Sequence, residues 1–397
     1  LVISLAREVF GDEKATIETE SLAADSLKQR DERYSRQILF PGIGIEGQQK
    51  LAQSRVAIVG CGATGSALAG LLARAGVGTL RIIDRDYVEA SNLQRQSLFD
   101  EKDAAESLPK AIAAGQKIAA FNSGIVVEPR VEDLIPENVE ASFEGMQLIL
   151  DGTDNFETRY LINDYAVKNS VPWIYSAAVG SYCATMNVIP GETACLACIF
   201  PDSPKGMVET CETAGILNSV VNLVASVAAT EALKFLVGPT SGAEASIPGE
   251  SETAALKRCA TQNHLRQTFL RRTFLRRTLL SFDLWSNQHA EIAADTPRGD
   301  CRVCGGREFV HLTGEARPHI TLCGRNSVQI HERQRSIDFS EMRERLTPYG
   351  MVRHNEFVLK FWHEPYEMTI FPDGRAIIKG TADAAVARSL YARYVGS

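Results

Sequence analysis

The chain has 397 residues, of which 42 are basic and 49 acidic, with a formal charge of -7 and a pI near 5.7. That length exceeds what one hydrophobic core usually organises, so a large domain and a smaller one are expected. The mild acidity excludes a global field drawing the protein to nucleic acid or to an anionic membrane, so any cation at a site must be placed locally.

Residues 1 to 32 are polar and weakly patterned and form an N-terminal extension to which no role is given. Leu1 to Phe10 is too short an apolar run for a signal peptide and carries Arg7 and Glu8. The expected setting is therefore cytoplasmic, where the nine cysteines call for thiol chemistry or metal rather than disulfides. Arg33-Tyr34-Ser35-Arg36-Gln37 reads as a surface arm leading through a short helix into a β-α-β unit. That unit comprises a strand (Arg55 to Val59), the turn Gly60-Cys61-Gly62-Ala63-Thr64-Gly65, a helix (Ser66 to Ala75) and a second strand (Thr79 to Ile83) ending at Asp84. Gly60 permits the turn, Gly62 lets backbone approach a phosphate, Gly65 allows close helix-strand packing, and Asp84 sits where a ribose hydroxyl falls. Such a motif serves NAD, FAD and ATP users alike. The segment Ser91-Asn92-Leu93-Gln94-Arg95-Gln96 then adds amide and cationic side chains just past the ribose acid.

Pro109-Lys110 opens a helix to about Ala120, because proline suits a helix start, and this fixes where Lys110 points. Ile125 to Val131 and Leu148 to Leu150 are further strands, the latter running into Asp151-Gly152-Thr153-Asp154-Asn155. Ligands of open α/β sheets gather outside the carboxyl ends of strands, so Asp84 and Asp154 can face one crevice. Acids beside a phosphate cluster suggest magnesium. Asp151 has the competing reading of a helix cap, which leaves Asp154 as the metal-side acid. Two strands, Val171 to Ser176 and Tyr182 to Ile189, deliver the chain to Cys195-Leu196-Ala197-Cys198.

Ile216 to Val237 is apolar but interrupted by Asn218, Asn222, Glu231 and Lys234, which predicts a buried helix rather than a membrane span. Residues 238 to 278 lose the order of strand and helix and contain a tandem Thr-Phe-Leu-Arg-Arg from Thr268 to Arg277. A period of five fits neither element, so this is read as an inserted loop and not as an RNA-binding patch. Leu279 to Leu284 resumes strand pattern before Cys301-Arg302-Val303-Cys304. From Arg307 a separate α+β module is expected, with strands near Ile320 to Ile330 and Phe357 to Phe361 and helices near Phe339 to Leu346 and Ala382 to Tyr394. A hairpin is expected across Pro372-Asp373-Gly374.

The ordered series RYSRQ, GCGATG, DRDYVEASNLQRQ, PK, DGTDN, CLAC, CETAG and CRVCG, from about Arg33 to Gly305, resembles the ThiF/MoeB/HesA family, relatives of ubiquitin-activating enzymes. It covers about two thirds of the chain. The resemblance implies a Rossmann-like doubly wound α/β sheet over residues 33–306 with a structural zinc knuckle; the small α+β module over 307–397 lies outside it. It implies adenylation by ATP of the C-terminal glycine of a small ubiquitin-like sulfur carrier of the thiamin or molybdopterin type, with release of pyrophosphate. Asp84 would then meet the ribose, with Gly60, Gly62, Gly65 and Asn92 completing the nucleotide site. Arg95, Gln96 and Lys110 would surround the phosphates and Asp154 would stand on the magnesium side. Arg36 would reach into the partner's site of a homodimer.

Cys195, Cys198, Cys301 and Cys304 form two CxxC pairs whose long separation leaves redox or buried thiols as the competing reading; the resemblance makes them the zinc ligands. It also offers Cys211, just before a helix, for a covalent link to the carrier, against the ordinary fate of a packed thiol. The chain departs from the family in its long 238–278 segment. It also ends in the unassigned module where a rhodanese-like sulfur donor would stand, so sulfur would come from a separate protein. The motifs also admit two other functions: an NAD-dependent oxidoreductase, in which Arg95, Lys110 and Asp154 are surplus, and a nucleotide-bound adaptor for a ubiquitin-like partner without turnover.

Overall fold

The computed structural model describes residues 32–201, 214–238, 275–314, 320–322, 327–330 and 337–396. Cys211, nearly all of the N-terminal extension and most of the 238–278 segment, including most of its tandem repeat, lie outside the described residues. The larger part is an eight-stranded sheet of order β3-β2-β1-β4-β5-β6-β7-β8. Its strands are β1 (Arg55–Val59), β2 (Thr79–Ile83), β3 (Val126–Arg130), β4 (Leu148–Asp151), β5 (Trp173–Val179), β6 (Tyr182–Val188), β7 (Thr278–Asp283) and β8 (Gln288–Ala293). The pairs β3-β2, β2-β1, β1-β4 and β4-β5 are parallel, and the pairs from β5 to β8 are antiparallel. The sequence reading contained no β8, because all six of its residues are exposed and carry no apolar alternation.

Helices α1 (Gly44–Gln53), α2 (Ala63–Ala75), α3 (Lys110–Phe121), α4 (Phe156–Asn169) and α5 (Asn218–Val237) cover the sheet. Strand β1 shows why both faces are covered: Val56 and Ile58 point into one core with α2, α3 and α5, while Ala57 and Val59 point into the other with α4. A parallel strand buried on both faces needs a continuous apolar run, and Val-Ala-Ile-Val supplies one. Helix α5 is long and apolar enough to cross a membrane by composition. Its alanines 225, 228, 229 and 232 instead fill the first core. Its buried Glu231 accepts bonds from Asn187 at 2.6 Å and the Arg276 amide at 3.0 Å and pairs with Lys234 at 2.7 Å.

A second, six-stranded sheet has the order β11-β12-β13-β14-β10-β9 and is antiparallel throughout. Its strands are β9 (Ile320–Leu322), β10 (Ser327–Ile330), β11 (Met351–His354), β12 (Leu359–His363), β13 (Tyr366–Ile370) and β14 (Ala376–Lys379), with helices α6 (Phe339–Leu346) and α7 (Ala384–Tyr394). The turn at Pro372-Asp373-Gly374 joins β13 to β14, with Gly374 at φ +85° and the Phe371 amide bonded to the Arg375 carbonyl at 2.8 Å. Residues 307–314 pack on the first sheet's α4 side. Phe309 and Leu312 lie against that core, and the His311 amide donates to Asp164 at 3.0 Å.

Candidate functional site

The order 3-2-1-4 reverses direction between β1 and β4, and such a switch point leaves a crevice at the strands' carboxyl ends. The glycine turn fills its floor. Gly60 takes φ +79°, where a side chain is strained. A Cβ on Gly65 would stand 1.8 Å from the Gly60 carbonyl oxygen, and one on Gly152 would stand 2.5 Å from that same oxygen. Three stretches of backbone therefore touch here, which only glycine permits. Gly62 differs: the nearest atom to its absent Cβ is the Gln96 side-chain nitrogen at 4.0 Å. Helix α2 begins at Ala63, inside the turn and three residues before the expected start, and no side chain caps it. Its first-turn N–H groups and the positive end of its dipole are available to an anion.

Asp84 underpins this turn. Its carboxylate accepts the Cys61 amide at 2.5 Å and the Asp86 amide at 2.7 Å. Burial pushes its pKa up, with Lys110 pulling against that. The 86–88 stretch is tied to the start of α3: the Lys110 amide donates to the Asp86 carbonyl at 2.8 Å, and Tyr87 bridges Pro109. This brings the Lys110 ammonium to 3.1 Å from the Asp86 carboxylate. Burial works against the lysine charge, but Asp86 and Asp84 more than offset it and push its pKa up. Burial opposes ionisation of Asp86 too, yet Lys110 and Arg85 hold it down to about 2. The lysine is thus a fixed cation inside the crevice.

Asp154 lies exposed after β4, and its charge reaches both Lys110 and Arg159. Asp151 is committed to structure: it pairs with Arg159 at 3.0 Å and accepts the Thr153 amide and hydroxyl at 2.8 and 2.7 Å, while Asn155 caps α4. Gln96 is buried, lies beside Gly62, and its Oε1 has no hydrogen-bond partner among the described residues. Asn92 is turned to a local task, closing a capping box with Glu89. Arg95 is half-buried and donates to the Ser91 carbonyl at 2.8 Å. The structure therefore gathers Gly60, Gly62, Gly65, Asp84, Gln96, Lys110 and Asp154 around one crevice.

Arg36 is not gathered there. Its arm packs at the far end of α2, where Gln37 donates to the Ala75 carbonyl at 2.8 Å and Tyr34 accepts from Asn122 at 2.9 Å. That end lies about 20 Å from the glycine turn by helix rise alone. The four cysteines do converge: Cys195 Sγ is 3.7 Å from Cys198 Sγ and 3.6 Å from Cys301 Sγ, and Cys198 Sγ is 3.3 Å from Cys304 Sγ. All four sulfurs lie within 4.8 Å of one another. Zn–S bonds of about 2.3 Å in a tetrahedron require sulfurs about 3.8 Å apart, so the cluster fits a zinc ion with no open position.

Reading motifs singly missed Asp86, Gly152 and the Asp151–Arg159 pair. Asp86 stands two residues after Asp84, and Gly152 follows the β4 acid, but nothing in local spacing says which partner each meets.

The fold and site together define a nucleotide-binding α/β protein whose crevice is lined by a buried lysine and acids. The model of the ThiF family matches residues 34–303, and the chain belongs to that family. A Bacillus subtilis relative, the sulfur carrier protein ThiS adenylyltransferase, is 39% identical over 368 residues, spanning 92% of this chain and 99% of its own. The SAMP-activating enzyme E1 of Haloferax volcanii is 37% identical over 207 residues, covering 52% of this chain and 76% of its own. The crystal structure of Escherichia coli MccB with ATP shares the fold at 21% identity and a TM-score of 0.54, covering 69% of this chain and 74% of MccB.

Proposed function

We propose that this chain is an ATP- and magnesium-dependent adenylyltransferase that activates the C-terminal glycine carboxylate of a small ubiquitin-like sulfur-carrier protein. The observation that carries the reading is the buried Lys110 ammonium, held charged beside an uncrowded Gly62 and an uncapped helix start. An NAD enzyme gives that lysine and Asp154 no task. The relatives named as carrier adenylyltransferases and as an E1 support the substrate class.

In the proposed step a carboxylate oxygen of the carrier bonds to the α-phosphorus. The bond from that phosphorus to the bridging oxygen breaks, and its electron pair leaves with pyrophosphate, giving the carrier adenylate. Lys110, Arg95 and Gln96 spread and hold the triphosphate charge, and Asp84 receives the ribose. Asp154 would hold magnesium, which neutralises phosphate oxygens when bound. Arg36 acts in the partner's site of a homodimer. Its distance from its own crevice and the exposed Leu39, Phe40 and Ile45 beside it support an interface there.

Cys195, Cys198, Cys301 and Cys304 hold a structural zinc, and Cys211 is the candidate for a covalent link to the carrier. In this reading residues 33–306 carry the reaction and residues 307–397 form an appended module. The test is carrier-dependent exchange of labelled pyrophosphate into ATP. It should be lost in Lys110→Ala and in Asp154→Ala, and mixed Arg36→Ala and Asp154→Ala subunits should regain part of it. Full exchange in both single variants would reject the site.

A further inference from the structure

The C-terminal sheet has two buried faces, and only one belongs to its own helices. Leu359, Phe361, Met368, Ile370, Ala376 and Ile378 pack with α6 and α7. Strand residues two apart share a face, so the alternate set points the other way, onto the segment between β2 and α3. There Phe371, Ile377 and the adjoining Val358 enclose Tyr87, the Thr369 hydroxyl donates to the Tyr87 hydroxyl at 3.2 Å, and the Lys360 ammonium sits 4.1 Å over the tyrosine ring. Lys379 pairs with Glu89, and Asn355 donates to the Glu106 carbonyl at 2.7 Å. The module therefore grips residues 87–106 at both ends. Between the two grips lie Asn92, Arg95 and Gln96.

Glu89 links that grip to the site through an unbroken run of bonds. It closes a capping box with Asn92 around the turn Ala90–Asn92, its amide donating to the Asn92 side chain at 3.2 Å and its carbonyl accepting the Asn92 amide at 2.9 Å. The Asn92 carbonyl in turn accepts the Arg95 amide at 3.0 Å and the Gln96 amide at 2.9 Å. Gln96 then reaches the glycine turn, its side-chain nitrogen being the nearest atom to the absent Cβ of Gly62. Where Glu89 stands thus decides where Arg95 and Gln96 stand.

Glutamate is not among the residues favoured at a helical N-cap, which are the shorter Ser, Thr, Asp and Asn, and its longer side chain has more rotamer freedom to lose. A second anchor on the carboxylate offsets that loss, and Lys379 supplies it. The two side chains are 38% and 35% exposed, so the pair is only partly screened by solvent. Burial alone would raise the Glu89 pKa, but Lys379 more than offsets it and keeps the carboxyl below its ordinary value. We propose that the C-terminal module braces the nucleotide site, with Lys379 as a positioning residue that, through Glu89, fixes the turn aiming Arg95 and Gln96 at the phosphates. This rests on the reading above that those two side chains meet the phosphates.

The test is a double-mutant cycle on the full-length chain with two readings: the dissociation constant of the ATP analogue AMPCPP by calorimetry, and amide hydrogen exchange over residues 89–98 without nucleotide. Lys379→Met should weaken AMPCPP about fivefold, the size of one partly exposed ion pair, and speed exchange over 89–98 by a similar factor while β12 and β13 exchange as before. Lys379 also faces Glu367 across the β13–β14 pairing, and an effect confined to the module would not depend on Glu89. In the Glu89→Gln background the same substitution should therefore change either reading by less than about twofold. Lys379→Arg keeps the charge and should stay within about twofold of the unaltered chain. Unchanged affinity or exchange in Lys379→Met, an equal loss with and without Glu89, faster exchange in β12 and β13 as well, or a loss in Lys379→Arg as large as in Lys379→Met would each overturn the proposal. Failure of the unaltered chain to bind AMPCPP would instead reject the underlying nucleotide reading, and exchange over 89–98 would still decide whether Lys379 fixes the turn.

Discussion

The glycine turn offers a comparison in which two alanines, three residues apart, should fail for different reasons. In Gly65→Ala the new methyl would lie 1.8 Å from the Gly60 carbonyl oxygen, where contacts under 3.0 Å essentially never occur. Backbone must therefore move by more than an ångström, and the oxygen is itself wedged against Gly152. Forcing a methyl into such packing costs about 1–3 kcal/mol. In Gly62→Ala the methyl meets only the Gln96 amide at 4.0 Å, so the fold has room for it. It would, however, occupy space that a phosphate needs. Thermal melting and AMPCPP binding, measured on both variants, separate the effects. Gly65→Ala should lower the melting temperature and weaken the nucleotide together, whereas Gly62→Ala should melt within a degree or so of the unaltered chain and lose binding. Unchanged melting in Gly65→Ala would refute the backbone packing, and unchanged affinity in Gly62→Ala would refute the phosphate approach.

Two further outcomes follow from the side of the sheet that carries α4. Cys301→Ser should reduce bound zinc, measured by atomic absorption after dialysis, and lower the melting temperature, since a structural zinc contributes on the order of 10 kcal/mol to folding; full zinc content would reject the four-sulfur site. Asp164 is raised to about 6 from an ordinary 3.8, by burial acting against the His311 amide and Arg302. The folded chain thus holds a proton that the unfolded chain has released between those values. Its contribution is fully present below about pH 4 and is lost as pH rises through 6, amounting to roughly 3 kcal/mol. Asp164→Asn should remove the part of it, about 2 kcal/mol, that separates urea unfolding at pH 4.5 from that at pH 7.5, while contributions from His311 persist in both chains and cancel.

How much of this was legible beforehand depends on the distance over which each feature is encoded. The β-α-β unit rests on neighbouring residues, and its strands fall at Arg55–Val59 and Thr79–Ile83 as periodicity and glycine placement require. The helix start moved to Ala63 because nothing in the turn caps a later one. Strand β8 was missed since an exposed edge strand carries no burial pattern.

The sequence by itself determined the nucleotide turn, the lysine at the start of α3 and the two cysteine pairs, because each is a local spacing with a steric or ligand requirement of its own. Tertiary structure alone decided the partners. Cys195 meets Cys301 across 106 positions, and Lys110 pairs with Asp86 rather than standing free. Asp151 turns inward to Arg159, whereas Asp154 stays exposed beyond β4. The module also docks on Tyr87. Charge pairing depends on distance through space, and chain separation carries no record of that until the sheet has formed.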